Sequence, residues 1–154
     1  MSDPNTDFPL DLLPYARELR RRVSAAGQAE VWCQVRRRFV VLQPEELVRQ
    51  AAIAYLRQLG YPVNLMQLER GVPGTRNRLD LLVLDRSAAP FLLLEAKRPD
   101  VHHGEGIAQL ADYRRAVAAR YVLSVNGVRA VCMEVDEAAQ TVRTLGAVPA
   151  FSSL

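Results

Sequence analysis

An α/β domain is the fold class this sequence predicts, and three observations carry the prediction. Two nearly continuous apolar runs, Arg78 to Asp85 and Pro90 to Lys97, stand one short turn apart, as strands buried on both faces do. Helical periodicity precedes them from Gln43 to Gly60 and returns after them from Gly104 to about Ala119. Asn126-Gly127 then separates two further apolar stretches, a strong hairpin signal. Helix, three strands, helix and a strand pair leave a helix available for each face of a sheet.

The elements follow in order. Residues 1–12 are polar and turn-forming and are expected to be a flexible terminus, 13–150 to form a single domain, and 151–154 a short tail. Pro14 to Cys33 reads as a peripheral hairpin turning at Ala25-Ala26-Gly27-Gln28, and Arg36 to Leu42 as a strand with a basic flank. Gln43-Pro44-Glu45-Glu46 starts a helix, with proline in the first turn and acids where the helix dipole favours them. Gly60 and Pro62 end it, and Val63 to Glu69 is extended. Tyr121 to Val125 and Val128 to Val135 are the arms of the final hairpin.

Composition sets bounds. A net charge of +3 and a pI near 9.2 suit nucleic acid without requiring it. Cys33 and Cys132 lack metal-ligand spacing, and no stretch has the length of a membrane span or the shape of a signal peptide. A reducing cytoplasm and no membrane partner are the expectation. Of the 20 basic side chains only Lys97 is lysine, and it lacks the glycine pattern of a phosphate-binding Walker loop.

That single lysine is informative. Where charge alone is needed this chain uses arginine, yet Glu95-Ala96-Lys97 closes its most apolar run. Lysine is a compact donor whose pKa falls readily on burial, whereas guanidinium stays protonated and planar. Period 2 puts Glu95 and Lys97 on one strand face, and the turn brings Asp80, near the head of the preceding strand, to the same sheet end. Two carboxylates and the Ala96 carbonyl are hard oxygen donors suited to Mg²⁺, and an ammonium beside them can contact an attacking water.

Asp80 followed by Glu95-Ala96-Lys97 resembles the bipartite motif of the PD-(D/E)xK nuclease superfamily. Gln109-Leu110-Ala111-Asp112-Tyr113 resembles the Q-x-x-x-Y motif of RecB-like nucleases and of the N-terminal nuclease domain of type I restriction enzyme R subunits. Leu42 to Gln50, Leu59-Gly60-Tyr61-Pro62, Arg78-Leu79-Asp80 and Val125-Asn126-Gly127 are similar to the latter family, so the resemblance spans roughly Val40 to Asp136. It departs where Leu79 rather than proline precedes Asp80.

The resemblance implies a restriction-endonuclease-like α/β/α sandwich with a central mixed β-sheet. It implies Mg²⁺ or Mn²⁺ held by Asp80, Glu95 and the Ala96 carbonyl, with Glu46 as an extra ligand or an acid behind the ligands. Lys97 would orient or activate water, and Gln109 and Tyr113 would position the nucleic-acid backbone or the active-site groups. Arg49, Arg78, Arg98 and Arg114 join Gln109 and Tyr113 as expected DNA contacts. The expected activity is metal-dependent hydrolysis of DNA phosphodiesters in restriction, defence or repair. Expected partners are DNA, a second copy of the chain, and a separate motor or specificity protein.

Plainer readings stand beside these. Glu46 can serve as a first-turn acid opposite Arg49 or Gln50, and Glu95 with Lys97 can form a strand-end salt bridge. His102 and His103, adjacent on an extended segment, point apart and are read as loop residues. Trp32, Tyr55 and Tyr61 are read as core or rim, because no basic-aromatic interleaving surrounds them in sequence. Arg20-Arg21-Arg22, Arg36-Arg37-Arg38 and Arg114-Arg115 suit phosphate or plain solvent equally. The alternative function is a non-catalytic nucleic-acid-binding or assembly module.

Overall fold

Leu81 to Val83 and Phe91 to Ala96, the two apolar runs, lie side by side at the centre of a mixed sheet, buried from both sides. The computed structural model describes residues 7–71, 78–100 and 117–151, with backbone alone at 69–71 and 78–79. In chain order the described elements are β1 (Phe8–Pro9), α1 (Leu13–Arg17), β2 (Arg21–Val23), β3 (Ala29–Cys33), β4 (Arg38–Val41) and α2 (Pro44–Gln58). A 3-10 turn at Val63–Leu65 leads to β5 (Met66–Gly71), β6 (Arg78–Leu84), β7 (Pro90–Ala96), β8 (Tyr121–Val125), β9 (Arg129–Asp136) and β10 (Thr141–Leu145). The expected helix from Gly104 falls mostly outside the described residues.

The larger sheet runs β1-β9-β8-β7-β6-β5, with β10 also paired to β9. Only β7 and β8 are parallel among these pairs, so the sheet is mixed. One face carries Leu81, Val83, Leu92, Leu94, Leu123 and Val125 against Val48, Ala51, Ala52, Ile53 and Leu56 of α2. The alternate residues Leu82, Leu93 and Val122 meet Val117 and Ala119 on the other side. This two-sided burial is why the strands read as continuous apolar runs and not as alternation. Ile53 is fully buried, and cutting it to alanine costs about 2–5 kcal/mol.

Turn chemistry sets the ends of these elements. Gly60, at φ 93°, closes α2 in a left-handed conformation that favours glycine. Between β8 and β9 the Asn126 carboxamide oxygen accepts the Val128 and Arg129 N–H groups, and Gly127 takes φ 98°.

Three details add to the sequence reading. Phe8 and Pro9 pair with Ala130 and Arg129, Leu10 and Leu12 donate to the Val128 and Gly127 carbonyls, and Leu12 is buried. At the other end Phe151 packs against Tyr61 and Phe91 instead of starting a free tail. The peripheral hairpin is present, but β4 joins it as a three-stranded antiparallel sheet, β2-β3-β4. On that sheet Arg20 lies over Trp32, so basic and aromatic groups do interleave there.

Candidate functional site

β6 and β7 stop pairing just short of the charged residues. The last register pair on that side is Leu81 with Leu94, which leaves Asp80 and Glu95 one step beyond the ladder. Lys97 donates its amide to the Val125 carbonyl on β8, so the Ala96 amide faces β6. Asp80 takes that orphan donor, with Oδ2 accepting the Ala96 N–H at 2.8 Å. A side chain thus continues the sheet where the backbone stops.

Helix α2 supplies the opposite wall. Glu46, Arg49 and Gln50 share one helical face by their three- and four-residue spacing. Arg49 is buried, with Nη1 at 2.6 Å from Glu46 Oε1 and Nη2 at 2.8 Å from Asp80 Oδ1. Gln50 donates to Glu46 Oε2 at 3.1 Å and accepts the Gln34 backbone N–H, so the small sheet is bonded into the same network. This matches the plainer reading of Glu46: its carboxylate is held by Arg49 and Gln50 and reaches the site through Arg49.

Glu95 and Lys97 form the remaining pair. Lys97 Nζ lies 2.9 Å from Glu95 Oε1, and the lysine side chain is only 17% exposed. Glu95 is 3% exposed, and its Oε2 has no hydrogen-bond partner among the described residues. Burial, then the neighbouring Asp80 charge, push its carboxyl above the ordinary carboxylate range, although Lys97 and Arg49 pull the other way. For Lys97 burial acts to lower the pKa, but the hydrogen bond and charge of Glu95, with Asp80 and Glu45, raise it. Burial alone would depress this lysine, but the carboxylates around it reverse the sign, and Lys97 is the ammonium that the sequence reading called for.

The donor set fits a hard divalent cation. Glu95 Oε2 is a buried carboxylate oxygen without a donor, and Asp80 and the Ala96 carbonyl supply further oxygen beside it. Among the described residues no three His, Cys, Asp or Glu side chains gather as a ready-made metal group.

The remaining expected residues divide clearly. Arg49 faces carboxylates, where a DNA contact had been expected, while Arg98 is half exposed beside Asp100. The Arg78 side chain, Gln109, Tyr113 and Arg114 lie outside what the structure describes, as do His102 and His103. Sequence reasoning missed Gln34, which sits in the turn between β3 and β4 and carries no spacing signal, and it gave Gln50 only a passing role as a neighbour of Glu46. No helix among the described residues is long and apolar enough to cross a membrane.

No curated protein matches the chain. The family model described as Type I restriction enzyme R protein N terminus matches residues 44–149, from the first residue of α2 past the end of β10. That span includes Glu46, Arg49, Asp80, Glu95 and Lys97, and the chain belongs to this restriction-enzyme family.

Proposed function

We propose that the chain is a PD-(D/E)xK-type deoxyribonuclease that hydrolyses DNA phosphodiester bonds with Mg²⁺ or Mn²⁺. The observation that carries the reading is the Glu95–Lys97 pair: the chain's one lysine, largely buried, bonded at 2.9 Å to a buried carboxylate beside Asp80. A structural salt bridge does not need an ammionium here in a chain that otherwise uses arginine.

Asp80, Glu95 and the Ala96 carbonyl would hold the metal. When bound it supplies Lewis-acid polarisation of the phosphate and a lower pKa for an attacking water. Lys97, charged throughout the neutral range, donates hydrogen bonds to that water or to a non-bridging phosphate oxygen and stabilises the negative charge that builds in the transition state. Arg49 holds Asp80 aimed between α2 and β7. Arg98, half exposed next to Lys97, is placed to meet the DNA backbone. Hydrolysis adds water across the P–O bond, and the leaving oxygen departs with a proton.

The family description supports DNA as substrate and other restriction subunits as partners. In this reading a motor or specificity protein supplies targeting and a second copy of the chain cuts the other strand. One observation favours the alternative, a non-catalytic binding or assembly module: both Asp80 oxygens are already bonded, to Arg49 and to Ala96. Supercoiled plasmid incubated with Mg²⁺ or Mn²⁺ separates the two. Nicking that EDTA, Lys97→Ala and Asp80→Ala each abolish supports the nuclease. Intact plasmid that is still bound by well-folded protein supports the module.

A further inference from the structure

The small sheet carries a surface that the proposed chemistry does not use. Its inner face is buried through Val31 and Cys33, so Trp32, between them, points outward. The strand register sets Trp32 directly across from Phe39, with the rings edge to face at 5.2 Å. Arg20 places its guanidinium 4.8 Å from the centre of the Trp32 ring, and Arg22 lies 4.0 Å from that of Phe39. Arg20 is exposed and has no carboxylate partner among the described residues, while Arg22 spends its Nε on Glu30.

A cleft of about 240 Å³ opens beside this layer, lined by Trp32, Arg20, Gln34, Tyr15 and Glu18. It is connected to the catalytic end, since Gln34 bonds to Gln50 and Gln50 to Glu46. Cation-π contacts alone would steady a small sheet, but they do not call for an open slot against the only indole in the chain. A planar apolar wall with the guanidinium groups of Arg20 and Arg22 beside it complements an unpaired base and its phosphates. This layer precedes the matched family region, which begins at residue 44.

We propose that the outer face of β2-β3-β4 binds single-stranded DNA, with a base stacked in the cleft on Trp32 and phosphates held by Arg20 and Arg22. The proposal rests on the nucleic-acid reading of the site and specifies the form of the substrate. A duplex keeps its bases stacked inside and cannot offer a base face to Trp32.

Trp32 is the only tryptophan, so its emission reports stacking directly. The full chain is titrated in EDTA, which prevents cleavage, with a thymidine oligonucleotide, the same backbone without bases, and a duplex. The expected result is quenching by the thymidine strand alone. Trp32→Ala, and independently Arg20→Gln with Arg22→Gln, should each weaken binding about tenfold. The arginine variants alter exposed side chains and guard against a misfolded tryptophan variant. Unchanged emission at saturating thymidine strand, equal quenching by duplex, or wild-type affinity in the arginine variant overturns the inference. Trp32-dependent binding without metal-dependent cleavage keeps this surface and retires the nuclease. Cleavage with a silent Trp32 does the reverse.

Discussion

Glu95 and Glu134 are both carboxylates flanked by cations in the same sheet, yet their acidities move in opposite directions. The register puts Glu134 across from Tyr121 at the start of β8 and Glu95 beside Ser124 near its end, so they mark opposite ends of the sheet. At Glu134 burial acts to raise the pKa, but hydrogen bonds from Arg120 and Arg143 with the charge of Arg143 together outweigh it, and its pKa falls. At Glu95 burial and Asp80 outweigh Lys97 and Arg49, and its pKa rises to about 7. Cation count does not distinguish the two sites, but desolvation and a second carboxylate do. One end is a solvated ion cluster, and the other is a site under electrostatic tension that a divalent cation would relieve.

Breaking the tense end should have the largest effect. Lys97→Ala and Asp80→Ala should each lower DNA cleavage by about 10²–10⁴-fold, measured as plasmid nicking rate at matched protein and metal concentrations. Arg49→Ala should come next. It strands Asp80 and Glu46 in a largely buried setting, where removing one partner costs about 3–5 kcal/mol, readable by urea denaturation. A midpoint unchanged from wild type would show that the α2-to-β6 latch carries no stability.

The pH dependence sharpens the comparison. The folded pKa of Glu95 lies above its ordinary value of 4.5. The proton it binds more tightly when folded therefore stabilises the metal-free protein below about 4.5, and that contribution is lost as pH rises towards about 7. Glu95→Gln should accordingly raise the Tm by a few degrees at pH 8 without doing so at pH 4. In the wild type, Mg²⁺ affinity by calorimetry should tighten through neutrality as Glu95 gives up its proton. Affinity flat across that range would place the metal elsewhere. At the relaxed end Glu134→Gln should shift stability by no more than about 0.5 kcal/mol, and added salt should shrink even that.

Much of this site was legible in the sequence, and for local reasons. Glu95 and Lys97 share a face because strands alternate, and Glu46, Arg49 and Gln50 share one because helices repeat near 3.6 residues. The placement of Asp80 opposite Glu95 followed from one short turn between two apolar runs. The terminal strand β1 was not legible, because two residues, Phe8 and Pro9, are too few to show alternation and pair only after β9 exists. Strand β10 was missed for a related reason: Thr141 to Leu145 is exposed over most of its length and lacks an apolar signature.

The sequence by itself determined helix α2 and the central strands, the chain order of the charged residues and the singular use of lysine, since all of these depend on spacing and residue type. Tertiary structure alone decided which charges meet. Arg49 turned out to hold Asp80, Glu95 acquired its raised pKa, and Lys97 kept its proton against the expectation from burial. The same is true of Trp32, which has no basic neighbour in sequence but gains Arg20 when β2 and β3 pair. Electrostatic and ring contacts depend on distance and solvent exclusion, and both are set by packing between segments far apart in the chain.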